Sequence, residues 1–201
     1  MAQITDGLRS ILSSPLVYSL FQKIMGVDRH TQQFVDSYIR PEVGMTVLDV
    51  GCGPADILAY LPPVDYWGFD ISAPYIAHAK NRYGERGKFF CKLLSKDDLT
   101  TLPKFDIVLL LGVLHHLDDC VAKDLMSLIH QSLKPHGRLV TMDACIAPRQ
   151  NPVARFLISK DRGRNVRDEP GYRGLVANVF SDARVTVRNQ TWIPYTHCIM
   201  E

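Results

Sequence analysis

The stretch 46-TVLDVGCGPADILAYL-61 joins an apolar run carrying one acid to two glycines a residue apart, a proline, and a segment of helical character. Chains of this form hold nucleotide-like ligands against the turn. A helix N-terminus exposes unpaired N–H groups, and glycine lets a ligand approach the backbone closely. Gly51 and Gly53 supply that approach. The reading expects a strand over Thr46–Val50 and a helix over Asp56–Leu61 that stops at Pro62 and Pro63.

Outward from this turn, strand and helix patterns alternate. Tyr66–Phe69 reads as a strand closed by Asp70, Pro74–Tyr83 as a helix, and "KFFCKLL" (88–94) as a third strand. "FDIVLLL" (105–111) is apolar almost throughout, as a parallel strand is when helices cover both its faces. A helix follows over Asp118–Leu133, "KPHG" turns the chain, and "RLVTM" (138–142) makes a fifth strand. After a helix over Gly171–Phe180 come "ARVTVRN" and "YTHCIM", joined by a loop too short for a crossover helix and therefore antiparallel. The expected fold is α/β: a doubly wound, mostly parallel seven-stranded sheet with an antiparallel edge strand. Ahead of it, residues 1–44 form a helical segment. Ser14–Pro15 is a capped helix start, and Leu16, Val17, Leu20, Phe21 and Ile24 make an apolar stripe suited to a lid; a second helix spans His30–Ile39. One domain over 1–201 is expected, because no repeat or linker interrupts the chain.

Composition excludes several classes. With 46 % hydrophobic and 22 % charged residues and a net charge of +2, the 201-residue chain is neither disordered nor strongly basic, so nucleic acid is not an expected partner. The most apolar N-terminal stretch is interrupted by Gln22 and Lys23 and is too short to span a bilayer, which needs about 20 apolar residues. Five scattered cysteines without CxxC pairing suit reduced thiols. A cytoplasmic location is expected.

Asp70 closes the second strand nineteen residues after Gly51, where a carboxylate can accept from both hydroxyls of a ribose. A dinucleotide fingerprint would place glycine where this chain has Asp56. An acid there opposes a pyrophosphate but tolerates a ligand that brings an amino acid and a sulfonium. "VLDVGCGPA" resembles the first motif of the class I S-adenosylmethionine-dependent methyltransferases, and "YWGFDIS" resembles their second-strand acidic motif. "FDIVLLLGVLHHL" and "LKPHGRLVTMD" are similar to their fourth and fifth strand regions, so the likeness covers residues 45–143. It departs at Ala55, often glycine in that family.

The resemblance implies a Rossmann-like methyltransferase fold with S-adenosylmethionine as cofactor and S-adenosylhomocysteine as product. It implies that Asp49, Gly51, Cys52 and Gly53 surround the methionine end, that Asp70 binds the ribose, and that Ile71 covers the adenine. Leu111 and Gly112 complete the cofactor's surroundings. Of "LLSKDD", Ser95, Asp97 or Asp98 meets the adenine amine, and spacing does not choose among them.

Methyl transfer from a sulfonium is a direct displacement, so the protein positions the acceptor and removes a proton where the accepting atom carries one. His115 and His116 follow the fourth strand, at the ligand end of the sheet, and histidine is a neutral base at pH 7. One of the two is expected to act on the acceptor while the other packs. The pair with Asp118 and Asp119 makes too crowded a metal site, and no metal is expected.

Residues 148–173 hold seven Lys or Arg against three acids, a net +4. This insert is expected over the acceptor side, with Arg162, Arg164 or Arg167 holding an anionic group. The expected activity is methyl transfer to a small-molecule acceptor of anionic or lipid-like character. The alternatives are a cofactor-binding protein without transferase activity and a nicotinamide-dependent oxidoreductase.

Overall fold

In the computed structural model, which describes residues 27–159, 163–190 and 195–201, the strands are β1 (Thr46–Val50), β2 (Asp65–Asp70), β3 (Gly87–Cys91), β4 (Phe105–Leu111), β5 (Leu133–Ile146), β6 (Arg167–Asp168), β7 (Val185–Gln190) and β8 (Tyr195–Met200). The helices are α1 (Val27–Phe34), α2 (Ala73–Tyr83), α3 (Asp119–Ser132), α4 (Pro152–Ser159) and α5 (Glu169–Val176). The chain divides into two compact units, Met1–Arg40 and Pro41–Glu201. In the first, α1 continues into a wider helical turn over Val35–Ile39, closed by Arg40 in the left-handed region at φ 47°. The expected helix from Ser14 to Ile24 lies outside the described residues.

The second unit is one sheet in the order β3-β2-β1-β4-β5-β8-β7, with β6 pairing β5 off this path. β1 runs parallel to β2 and β4, and β4 runs parallel to β5. Only β8 is reversed, antiparallel to both β5 and β7, so the hairpin closes one side of the sheet as the short connection requires. The chain leaves β1 toward β2 on one side while β4 lies on the other. This topological switch point is where open parallel sheets bind ligands, beyond their strands' carboxyl ends.

Burial explains the order. Phe105, Ile107, Val108, Leu109 and Leu110 of β4 are all fully buried, which places this strand at the centre with both faces covered. α2 packs on β2 and β3, and α3 packs on α5 and β5. Trp67 stacks on Phe90 at 5.8 Å, and Phe69 stacks on the same ring at 4.6 Å, tying β2 to β3 across one face.

Two expected elements differ in kind. The segment after the glycine turn is a 3₁₀ turn over Asp56–Tyr60 rather than an α-helix. Leu61 precedes Pro62, which disfavours helical backbone there, and Leu61 is extended at φ −88°, ψ 144°. Five residues are too few for a helix dipole to act on a ligand. "KPHG" does not end before β5 but lies inside it as an irregularity: Phe105 pairs Leu133, and Ile107 pairs Arg138. A Cβ on Gly137 would lie 2.5 Å from the Phe105 carbonyl oxygen, so only glycine fits this bulge. The basic insert, for which no element was expected, contains α4 and β6.

Candidate active site at the ends of β1, β4 and β5

The turn after β1 is held by its neighbour strand. The N–H groups of Gly51 and Cys52 both donate to the Phe69 carbonyl, at 2.7 and 3.0 Å. Gly51, Gly53 and Ala55 all have positive φ, at 75°, 54° and 59°. Alanine at the last of these carries strain that glycine would not. A Cβ on Gly51 would lie 2.5 Å from Val113 Cγ2, whereas nothing lies within 4 Å of a Cβ on Gly53. The first glycine therefore lets the β4 loop close in, and the second leaves open space for a ligand.

Asp70 reaches back across this turn. Its Oδ2 accepts from the Gly53 N–H at 2.9 Å, and its Oδ1 accepts from the Ser72 N–H at 2.7 Å. The carboxylate is thus positioned at the lip of the turn, and Ile71 beside it is 69 % exposed. Cys52 contributes backbone rather than thiol: its buried sulfur lies 2.9 Å from where a Cβ on Gly68 would stand.

Asp49 is 2 % exposed, and its Oδ2 accepts from the Tyr66 hydroxyl at 2.5 Å. Its Oδ1 has no hydrogen-bond partner among the described residues. Burial raises its carboxyl to about 7, the charge of Asp70 adds to this, and the Tyr66 bond opposes it. An orphaned buried carboxylate oxygen beside a glycine turn is what an incoming ammonium would satisfy. An S-adenosylmethionine molecule brings that ammonium together with a ribose, so the residues present fit it.

The sign for stability follows from the raised value. An unfolded aspartate ionises near 3.8, so the ligand-free fold loses stability as pH rises from there through about 7. Asp49→Asn is expected to be more stable than the wild type at pH 8 by a few kcal/mol, taking about 1.4 kcal/mol per pKa unit, and the gap should narrow to about 1 kcal/mol at pH 4.5. Denaturant unfolding of both proteins at the two pH values checks this; a pH-independent gap contradicts it.

In the loop expected to meet the adenine, Asp98 is engaged within the loop itself. It accepts from Lys92 Nζ, from the Ser95 N–H at 2.9 Å and from Ser95 Oγ at 2.7 Å. Ser95 is thereby oriented by Asp98, and Asp97 is exposed at the start of the 98–100 turn. Leu111 and Gly112 are half-buried at the end of β4.

His115 and His116 occupy a short 3₁₀ turn after β4, their rings 4.1 Å apart, and they differ in surroundings. His116 is exposed; His115 is 7 % exposed. His115 Nδ1 lies 2.7 Å from Asp143 Oδ1, which also accepts from the His115 N–H at 3.2 Å. Asp143, on β5, is 1 % exposed, and its Oδ2 has no partner among the described residues. A carboxylate only accepts, so this pairing places the proton on Nδ1 and leaves Nε2 as the lone-pair nitrogen. The ring lies beside the end of β4: a Cβ on Gly112 would lie 3.7 Å from His115 Cε1.

The sequence reading missed Asp143 as a site residue. Its signal was a lone acid in the apolar run "RLVTMDACI", where an unpaired carboxylate would be costly. Tyr66, the partner of Asp49, carried no signal, since an aromatic residue is ordinary in a strand.

The basic insert supplies a cover and a strut. The Asn165 N–H donates to the His115 carbonyl at 3.0 Å, and a Cβ on Gly163 would lie 2.1 Å from His115 Cδ2, so residues 163–165 pack directly on the histidine. Arg167, expected to hold an anionic acceptor, does something else. Its Nε and Nη2 donate to Asp119 Oδ1 at 2.9 and 2.7 Å, Nη1 donates to the carbonyls of Leu114 and Asn165 at 2.9 Å each, and Nη2 also donates to that of Leu117 at 2.7 Å. A guanidinium has five N–H donors, and these contacts use all of them. Arg167 braces the histidine turn and has no donor left for an acceptor. Arg164 is exposed, and Arg162 lies outside the described residues.

Arg167→Lys is therefore expected to destabilise the fold by about 2–4 kcal/mol, nearly as much as Arg167→Ala, because an ammonium cannot reproduce the fork. Chemical denaturation of both variants checks this; wild-type stability of Arg167→Lys contradicts the strut.

Comparison with known proteins agrees with this geometry. The family described as a methyltransferase domain matches residues 48–139. Over 88 residues the chain is 39 % identical to an uncharacterized protein of Synechococcus sp., covering 39 % of this chain and 21 % of that one. Among solved structures, the mitomycin 7-O-methyltransferase MmcR superposes with a TM-score of 0.63 at 22 % identity, over 94 % of this chain and 58 % of that one. An O-methyltransferase family 2 protein from Planctomyces limnophilus, in complex with apigenin, gives 0.63 at 20 % identity over 90 % and 60 %. The mycolic acid cyclopropane synthase CmaA1, complexed with SAH and CTAB, gives 0.61 at 18 % identity over 79 % and 62 %. The chain spans about a fifth of that curated relative and about three fifths of these structures. The glycine turn and Asp70 at the end of β2 thus lie within residues 48–139, the part of the chain that is similar to a methyltransferase domain, and the fold is the one that these solved structures share.

Proposed function

We propose that this chain transfers a methyl group from S-adenosylmethionine to a small-molecule acceptor whose accepting atom, oxygen or nitrogen, carries a proton at neutral pH. The observation that carries this reading is the buried His115–Asp143 pair at 2.7 Å, placed beside Gly112. An acceptor with nothing to deprotonate would not need such a pair. The cofactor supplies a methyl group already activated on a sulfonium. The chain's own residues do the remainder: Asp70 holds the ribose hydroxyls, the backbone of Gly51 to Gly53 and the Asp49 carboxylate hold the amino-acid end, and Ile71 with Ser95 or Asp97 borders the adenine. His115 Nε2 takes the acceptor's proton as the methyl carbon bonds to the acceptor atom and the carbon–sulfur bond breaks. Asp143 keeps the imidazole in the required tautomer and offsets its charge once protonated. His116 borders the acceptor from the exposed side.

The names of two similar structures, a mitomycin 7-O-methyltransferase and an O-methyltransferase family 2 protein complexed with apigenin, favour oxygen as the accepting atom. Of the three arginines expected to meet an anionic group, Arg164 is the described one that is exposed and open to the acceptor. One domain over 1–201, residues 1–44 as a lid and a cytoplasmic location remain part of this proposal.

A second reading, cofactor binding without turnover, draws on the cover that Gly163 and Asn165 place over His115. Calorimetric titration with S-adenosylmethionine, S-adenosylhomocysteine and NAD, followed by methyl transfer to a panel of phenols, carboxylic acids and amines, tests both. Binding of the first two with transfer to an O–H or N–H acceptor is the expected result. Binding without transfer to any of the panel favours the second reading, and binding of NAD alone overturns both.

A further inference from the structure

We infer that α4 is a docking element for an anionic lipid surface. The helix follows β5 directly, at the ligand end of the sheet, and turns Ala154 and Ile158 inward, at 2 and 4 % exposure, where it packs on β8 and β5. Val153, Phe156 and Leu157 stand at i, i+3 and i+4 on another face and are 53, 61 and 38 % exposed. Ile146, at the end of β5 just before the helix, is 40 % exposed. Solvent-facing positions of a helix that already buries one apolar face are ordinarily polar. Here they form a second apolar face, and a contiguous exposed apolar patch marks an interaction surface.

The charge around that face selects the partner. From Ala144 to Ser159, through the end of the helix, the chain has two cations, Arg149 and Arg155, and no acid; Lys160 and Asp161 follow in the sequence. Arg155 is exposed two residues from Val153 and Leu157 along the helix, and Arg149 is exposed in the loop before it. An exposed apolar face with Arg149 and Arg155 exposed beside it matches a bilayer interface with anionic headgroups: aromatic and aliphatic side chains enter the acyl boundary while the arginines meet phosphates. No helix among the described residues is long and apolar enough to cross a membrane, so the contact is a surface one. The helix is firmly based for this. Asn151 Oδ1 accepts from the Val153 N–H at 2.8 Å, its carbonyl accepts from the Arg155 N–H at 2.9 Å, and Gln150 Nε2 donates to the Cys145 carbonyl at 3.0 Å. A surface bound here brings lipid to the acceptor side of the sheet. The inference does not depend on methyl transfer.

Cosedimentation of the full chain with vesicles of phosphatidylcholine, alone or mixed with phosphatidylglycerol, tests this without cofactor. The expected result is binding to the mixed vesicles, weakened by added salt, and reduced at least ~10-fold by Phe156→Glu or Leu157→Glu at unchanged melting temperature. Arg155→Glu should lower the salt-sensitive part alone. Absence of binding to the anionic vesicles, binding that neither apolar variant reduces, or a dimer in sedimentation that Phe156→Glu dissolves would each overturn it. The last outcome assigns the face to a second copy of the chain.

Discussion

Alanine in place of His115 is expected to lower kcat by about 100- to 10,000-fold while the affinity for S-adenosylmethionine stays within a few-fold, as for loss of a general base. His115 has the buried Asp143 carboxylate behind it, and His116 is exposed, so His116→Ala should cost far less. Asp143→Asn separates positioning from proton removal. It keeps the shape of the side chain, but an amide N–H directed at Nδ1 would force the wrong tautomer. That variant should lose rate at neutral pH and shift the basic limb of the pH–rate profile, which a merely structural aspartate would not do. Single-turnover rates across pH, with melting temperatures to confirm folding, make the comparison. Full turnover by His115→Ala would remove the base from the mechanism.

Asp70→Ala is expected to weaken S-adenosylmethionine binding by at least ~100-fold. Two charge-assisted hydrogen bonds to a ribose, at about 1.5–3 kcal/mol each, account for a loss of that size. The structure adds a second reason. The same carboxylate accepts from Gly53 and Ser72, so its removal also frees the lip of the turn beside the open space at Gly53. Asp70→Asn should lie between, because an amide oxygen can still accept from one of the two backbone groups. Calorimetry on the three proteins measures this; an affinity for Asp70→Ala within threefold of wild type would refute the ribose contact.

Much of the fold was readable along the chain because its determinants are local. The run Phe105–Leu111 is a buried central strand for the reason its composition suggests, and α3 begins and ends within a residue of the expected helix because Asp118 caps it, accepting from the Val121 N–H. The hairpin of β7 and β8 followed from loop length. The turn after β1 was legible in position but not in kind: Pro62 limits the helical segment, and only the structure shows that what fits is a 3₁₀ turn. The bulge at "KPHG" was likewise hidden, since a strand's register depends on its neighbour, here the Phe105 carbonyl against Gly137.

The sequence by itself determined the glycine turn, the acid at the end of the second strand, and the histidines after the fourth, because backbone geometry and strand order put those residues at one end of a parallel sheet. Tertiary structure alone decided which charges meet. Asp143 lies 28 residues from His115, and Arg167 lies 48 from Asp119. Nothing in local spacing pairs them. Buried polar groups take whichever partner the packed sheet brings within reach, because leaving one unsatisfied costs about 1–3 kcal/mol. That cost turned Arg167 from an expected acceptor ligand into a brace and gave His115 its carboxylate.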